Sequence, residues 1–125
     1  MPQKILVVDD EPFILRSMSY VLQREGFEVL EARNGDEALT QIENEEPPLV
    51  FLDIMMPRKN GYEVVAALAE NGRLDSIHVV LLTAKGQESD RRKGLGLGAH
   101  EYLTKPFSPL RIVEKAREIL TAPLS

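Results

Sequence analysis

The sequence predicts an α/β fold built on a parallel sheet, in which five strands alternate with five helices. Three observations carry this reading. Short β-branched apolar runs alternate with segments of helical period, which is the pattern of successive βα units. Three of those runs are almost wholly apolar, as central strands covered on both faces must be. Proline, glycine and asparagine stand at the joints between segments. A chain of 125 residues has room for one domain, expected to span residues 1–125 with a core from about 4 to 120, and 43% hydrophobic content can fill a single core.

The strands read as Ile5 to Val8, Glu28 to Ala32, Leu49 to Leu52, His78 to Leu82 and Glu101 to Leu103. The second and fifth are shorter or more polar than the others and are expected at the edges. Helix one starts at Pro12, a good first-turn residue, and carries Ile14, Met18, Val21 and Leu22 on one face until Gly26 stops it. Asn34-Gly35 turns the chain into helix two, which ends before Pro47-Pro48. Asn60 caps helix three while Glu63, three residues on, reaches back to the free amide. The GLGLG string from Gly94 to Gly98 follows a helical segment and not the first strand, so it is no dinucleotide loop; it reads as the fraying end of helix four. Each glycine inside a helix costs about 1 kcal/mol relative to alanine, so this element is expected to remodel easily. Helix five starts at Ser108-Pro109 and buries Ile112, Val113, Ala116, Ile119 and Leu120. His78 and His100 read as surface or loop residues.

Composition narrows the function. A net charge of −5 and a pI near 5.1 oppose direct nucleic-acid binding by this domain, because phosphate backbones are held by clustered Lys and Arg. The absence of cysteine removes disulfides, thiolate metal sites and Cys nucleophiles, and fits a cytoplasmic protein. The apolar runs are too short to span a bilayer, and no signal sequence opens the chain.

The chemistry is concentrated at strand ends. ILVVDD ends on Asp9 and Asp10, LVFLD ends on Asp53, and EYLTKP carries Lys105. In a doubly wound sheet ligands sit beyond the carboxyl ends of the strands. If strands one and three are neighbours, about 4.8 Å apart, the three carboxylates crowd together. Two carboxylates near 5 Å repel by about 3 kcal/mol at an effective dielectric of 20, against a domain stability of roughly 5–15 kcal/mol. A bound cation or raised carboxyl pKa values would relieve that repulsion. The all-oxygen donor set suits Mg²⁺, with Lys105 a second positive charge opposite it. Asp53 is then the candidate nucleophile for a phosphoryl group, and Thr83 brings a hydroxyl to the same edge. Taken singly, Asp9 and Asp10 also read as caps for the helix at Pro12, Asp53 as a turn residue, Thr83 as a core-edge hydroxyl and Tyr102 as a half-buried aromatic. Taken together at strand ends, they read as one site.

Five separated signals, VVDDE, the DxxMPxxNG turn, LLTA, the aromatic three residues before the lysine and the Lys-Pro pair, give the chain a resemblance to bacterial two-component response-regulator receiver domains from Lys4 to about Leu120. The resemblance implies a flavodoxin-like sheet of order 2-1-3-4-5. It implies that Asp53 is the phosphoacceptor, Asp10 a direct Mg²⁺ ligand, Asp9 a ligand through water, and Met55 a ligand through its backbone carbonyl. Lys105 would pair with the phosphoryl group, Thr83 would donate its hydroxyl to a phosphoryl oxygen, and Tyr102 would turn inward behind it. A cis Lys105–Pro106 bond and tuning positions at Met55 and Lys85 are implied as well. The implied donors are a histidine kinase, a histidine phosphotransfer protein or a small phosphodonor. The apolar first turn around Phe13 and Ile14 reads as a face for a kinase-side helix, and Arg58 and Lys59 read either as an attractant for anionic donors or as solvated surface charges. The output face would be the fourth helix, fifth strand and fifth helix. It would engage a downstream protein or output domain. Arg91, Arg92 and Lys93 with Glu101, Glu114 and Glu118 read either as pairs across a homodimer of this face or as surface ion pairs on a monomer. The chain is expected to be a signalling phosphoacceptor and not an enzyme on an external substrate. A haloacid-dehalogenase-type phosphatase would want an aspartate at Met55, and a flavin carrier a hydroxyl- and glycine-rich loop where Asp9 and Asp10 stand.

Overall fold

The computed structural model describes residues 3–56, 58–84, 88–105 and 107–120. Strands β1 (Lys4–Val8), β2 (Glu28–Ala32), β3 (Leu49–Asp53), β4 (His78–Ala84) and β5 (Glu101–Lys105) alternate with helices α1 (Pro12–Arg24), α2 (Gly35–Glu45), α3 (Gly61–Glu70), α4 (Glu88–Leu97) and α5 (Pro109–Leu120). A single 3₁₀ turn at Arg73–Asp75 precedes β4. All strand pairs are parallel and the order is β2-β1-β3-β4-β5, so the nearly apolar runs are central and the polar ones form the edges, as expected. The Lys105–Pro106 bond and Lys85 lie outside the described residues. Among those residues, no helix is long and apolar enough to cross a membrane.

Strand alternation divides the core in two. Ile5, Val7, Leu49, Phe51, Val80 and Leu82 face α1 and α5. Leu6, Val8, Val50, Leu52, Val79 and Leu81 face α2, α3 and the end of α4. Every residue of β3 is buried, as a strand between two helical layers requires. The capping box of α3 forms as predicted: Asn60 Oδ1 accepts the Glu63 amide and Glu63 Oε1 accepts the Asn60 amide, both at 3.0 Å. On α5, Lys115 lies on the inward face with only 7% exposure. Its ammonium meets Glu101 at 2.6 Å and Glu118 at 3.5 Å, so a residue that local pattern assigns to solvent is part of the packing.

The glycine string differs from its reading as a frayed end. Helix α4 runs through Leu97 and is closed by Gly98 at φ +118°, with Gly98 N–H on the Leu95 carbonyl and Ala99 N–H on the Gly94 carbonyl, both 3.1 Å. This pair of bonds is a Schellman closure, which satisfies carbonyls that fraying would leave open. Within the helix the two glycines are not equivalent. A Cβ on Gly94 would collide with Leu81, which is wholly buried, whereas one on Gly96 would meet nothing within 4 Å. Gly94 allows α4 to approach the sheet; Gly96 only weakens the helix. Gly96→Ala is therefore expected to raise stability by about 1 kcal/mol, and Gly94→Ala to lower it by about 1–3 kcal/mol through overpacking. Chemical denaturation of the two variants checks the pair, and equal effects of one sign would contradict this packing.

Candidate functional site

β1 and β3 are hydrogen-bonded neighbours with Val8 opposite Leu52, so Asp9 and Asp53 leave the sheet side by side. Asp9 is fully buried and Asp53 only 6% exposed, while Asp10 is exposed. One carboxylate oxygen from each of the three lies within 4.8 Å of the others. Lys105, the last residue of β5, reaches over β4 into this group, with Nζ 2.9 Å from Asp9 Oδ2 and 3.4 Å from Asp53 Oδ1.

The helix-capping alternative does not describe these acids. The residue at the α1 N-cap is Glu11, which makes no side-chain cap bond. Asp9 Oδ1 instead accepts the Glu11 amide at 3.0 Å, two residues on, and this turn aims its other oxygen at Lys105.

The electrostatics follow from burial and crowding. Burial first, then the charge of Asp9 and to a lesser degree Asp10, push the Asp53 carboxyl up to about 7, although Lys105 pulls against them. Burial works to lower the Lys105 pKa, but its bonds and charges with Asp9 and Asp53 outweigh this and hold it above the usual lysine value. Three hard oxygen donors whose repulsion Lys105 offsets only in part fit Mg²⁺, which prefers few carboxylates and completes its shell with water.

The backbone around Asp53 is held from two sides. Gly61 N–H donates to the Ile54 carbonyl at 2.9 Å, and a Cβ at Gly61 would lie 2.7 Å from the Asp53 carbonyl oxygen. Gly35 N–H donates to the Lys59 carbonyl at 2.9 Å, and Arg58, at φ +69°, brings Nε to 3.5 Å from Asp36. Locally, Asn34-Gly35 reads only as a turn into α2; its second task, holding the loop after β3, leaves no local signal. The charge of Arg58, which reads either as an attractant for donors or as a solvated surface group, is likewise shared with α2.

Of the remaining candidates, Thr83 and Tyr102 lie on β4 and β5, and Met55 in the loop after β3. Thr83 is buried one residue beyond Leu82, the partner of Asp53, and it pairs with Thr104. Tyr102 pairs with Leu81 and is half-buried against the core on the α3 and α4 side. The Met55 side chain is 70% exposed, unlike the buried members of the acid cluster. Structure thus gathers Asp9, Asp10, Asp53 and Lys105 into one cluster and sets Thr83 beside it, with Tyr102 further back on the neighbouring strand.

The raised Asp53 carboxyl fixes the sign of a pH effect. Between the ordinary value of 3.8 and about 7, the native state holds a proton that the unfolded chain has released, so stability falls as pH rises through that window. In metal-free buffer Asp53→Asn is expected to melt higher than the parent at pH 8, with the gain shrinking towards pH 5. Thermal melts at both pH values check this; no gain at pH 8, or an equal gain at pH 5, would contradict the crowded-acid account.

Comparison with known proteins agrees with this geometry. The family model described as "Response regulator receiver domain" matches residues 5–117. The alkaline phosphatase synthesis transcriptional regulatory protein PhoP of Bacillus subtilis is 43% identical over 96% of this chain and 49% of its own length. The phosphate regulon transcriptional regulatory protein PhoB of Escherichia coli is 39% identical over 96% of this chain and 52% of its own. The chain spans about half the length of these curated relatives. Among solved structures, the chemotaxis response regulator CheY4 of Vibrio cholerae superposes with a TM-score of 0.88 at 29% identity, covering 96% of this chain and all of that one. With its five-stranded sheet of order 2-1-3-4-5 and its acid cluster, the chain belongs to the response regulator receiver domain family, and is a phosphoryl-accepting signalling domain and not an enzyme on an external substrate.

Proposed function

We propose that Asp53 accepts the phosphoryl group and that the rest of the cluster serves that one transfer. The observation that carries this is the placement of Lys105 on Asp9 and Asp53 together, within a group of three carboxylates. The donor is a histidine kinase or a histidine phosphotransfer protein. An Asp53 carboxylate oxygen attacks phosphorus, the bond from phosphorus to the donor nitrogen breaks, and the leaving imidazole takes up a proton.

Asp10, Asp53 and the Met55 carbonyl would hold Mg²⁺ directly, and Asp9 would hold it through water. When bound, the ion supplies charge neutralisation for the phosphoryl oxygens. Lys105 supplies the complementary positive charge from the opposite side. It lies at the end of a strand, already within reach of Asp53, so little reorganisation is needed as charge builds up. Asp9 keeps that ammonium in place beforehand.

Phosphorylation adds about −1.5 to −2 charges at one strand end. Thr83 then donates its hydroxyl to a phosphoryl oxygen and leaves its former space, and Tyr102 turns inward to fill it. This biases α4, β5 and α5 towards a second arrangement. The domain occupies residues 1–125, with its core at about 4–120, and acts in the cytoplasm through a downstream protein or output domain.

That face also supports a homodimer. Glu101 and Glu118 already bind Lys115 and the Lys93 ammonium lies over the Tyr62 ring, so the interfacial pairs fall first to Arg92 and Glu114. Sedimentation is expected to show dimers after phosphoryl activation, and a protein that stays monomeric at high concentration would overturn the dimer.

Intact mass after incubation with acetyl phosphate and Mg²⁺ tests the transfer itself. One added phosphoryl group is expected in the parent, none in Asp53→Asn and none without metal. An adduct that survives in Asp53→Asn would move the acceptor elsewhere.

A further inference from the structure

A second polar cluster lies at the opposite end of the sheet, where β4 and β5 begin and α4 ends. His100 closes a two-bond clamp on Val79: its backbone N–H donates to the Val79 carbonyl at 3.0 Å, and its Nδ1 accepts the Val79 N–H at 3.0 Å. The imidazole therefore takes the place of a strand partner for β4 just before β5 starts at Glu101. Its ring stacks on His78, with centroids 4.5 Å apart and planes 22° from parallel. His78 Nε2 lies 2.7 Å from Glu101 Oε2, and the other oxygen of Glu101 accepts from Lys115 of α5 at 2.6 Å. The groups facing His100 are thus His78 from β4, Glu101 from β5 with Lys115 and Glu118 of α5 behind it, and Asp75 with the Leu74 backbone from the 3₁₀ turn.

We propose that His100 is an acid-sensitive latch, which pins the C-terminal end of α4 to β4 while its ring is neutral and releases the α4–β5 junction when the ring is protonated. The chemistry is that of one nitrogen. Nδ1 accepts the Val79 N–H only through its lone pair, so the neutral ring carries its proton on Nε2. Protonation turns Nδ1 into a donor facing another donor, and one half of the clamp is lost. It also sets a cation against the face of His78.

Burial first, and then His78, hold the His100 pKa below its ordinary value, while the Leu74 backbone, Glu101 and Asp75 oppose them less strongly. The sign follows. Below about 6.5 the unfolded chain takes up the proton before the native one, so the latch contributes its stability above that pH and loses it as pH falls. Release meets little resistance in α4 itself, because Gly96 weakens the helix without a packing role. The latch is separate from phosphoryl acceptance: it sits at the far end of the sheet and its residues do not touch Asp53. It adds pH as a second input to the face that phosphorylation is proposed to move.

An NMR titration of the unphosphorylated protein from pH 8 to pH 5 tests it. The His100 ring is expected to titrate below about 6.5, and the amide resonances of Val79, Gly98 and Ala99 to move with that same midpoint. In His100→Asn, whose side-chain oxygen accepts a hydrogen bond but does not titrate, those amide transitions should vanish. A His100 midpoint at or above the ordinary value, a Val79 amide that does not follow it, or amide transitions that persist in His100→Asn would each overturn the proposal. If His100→Asn fails to fold, the shared or separate midpoints in the parent still decide it.

Discussion

The crowding of Asp9, Asp10 and Asp53 at the carboxyl end of β1 and β3 is the constraint to which the rest of the site answers. Parallel pairing puts the two strands side by side, and the apolar runs behind them bury Asp9 and nearly bury Asp53. Asp9 and, to a lesser degree, Asp10 raise the cost of ionising Asp53. Lys105 offsets part of that cost, but its ammonium divides its attention between Asp9 and Asp53. What remains is a local demand for positive charge. The unloaded site therefore disfavours its own charged form, and a bound cation would relieve it.

The loops around this cluster hold a geometry that the charges alone would disperse. Gly61 lets the chain pass close to the Asp53 carbonyl, and the Gly35 amide fixes the same loop through Lys59. Both contacts are made by backbone atoms, so they persist whatever the protonation of the acids. Rigidity at one end of the sheet is matched by weakness near the other. Helix α4 has a sound Schellman closure but an interior glycine with no packing duty, and its end is tied down through the neutral ring of His100. The interior strand β4 connects the two regions, carrying Thr83 at one end and Val79, which His100 clamps, at the other.

Much of this was legible in order along the chain. Strand positions followed from period-2 and all-apolar runs, and the helix starts from Pro12, Asn34, Asn60 and Pro109, because those signals act within a few residues. The site residues were legible for a related reason. A carboxylate or lysine that ends an apolar run is placed by the strand itself, so Asp9, Asp53 and Lys105 could be assigned to one edge before any packing was known. Where reading fell short, the partner was distant in sequence. Lys115 looks like a solvent residue until Glu101 comes within 2.6 Å, and Gly35 looks like a turn residue until Lys59 accepts its amide. His100 is the exposed loop residue its sequence context suggests, but His78 is a half-buried strand residue, and the stacking of the two rings has no local signal.

The sequence by itself determined the fold class, the strand order once the family resemblance was included, and the identity of the charged groups at the strand ends. Those properties are set by local periodicity and by residue chemistry. Tertiary structure decided which charges meet: that Lys105 bridges Asp9 and Asp53, that Asp9 binds the Glu11 amide and does not cap α1, and that a histidine nitrogen stands in for a strand partner at Val79. Distances between groups far apart in the chain depend on sheet register and helix packing, and pKa values depend on the burial that packing creates, so neither is written in any local stretch of residues.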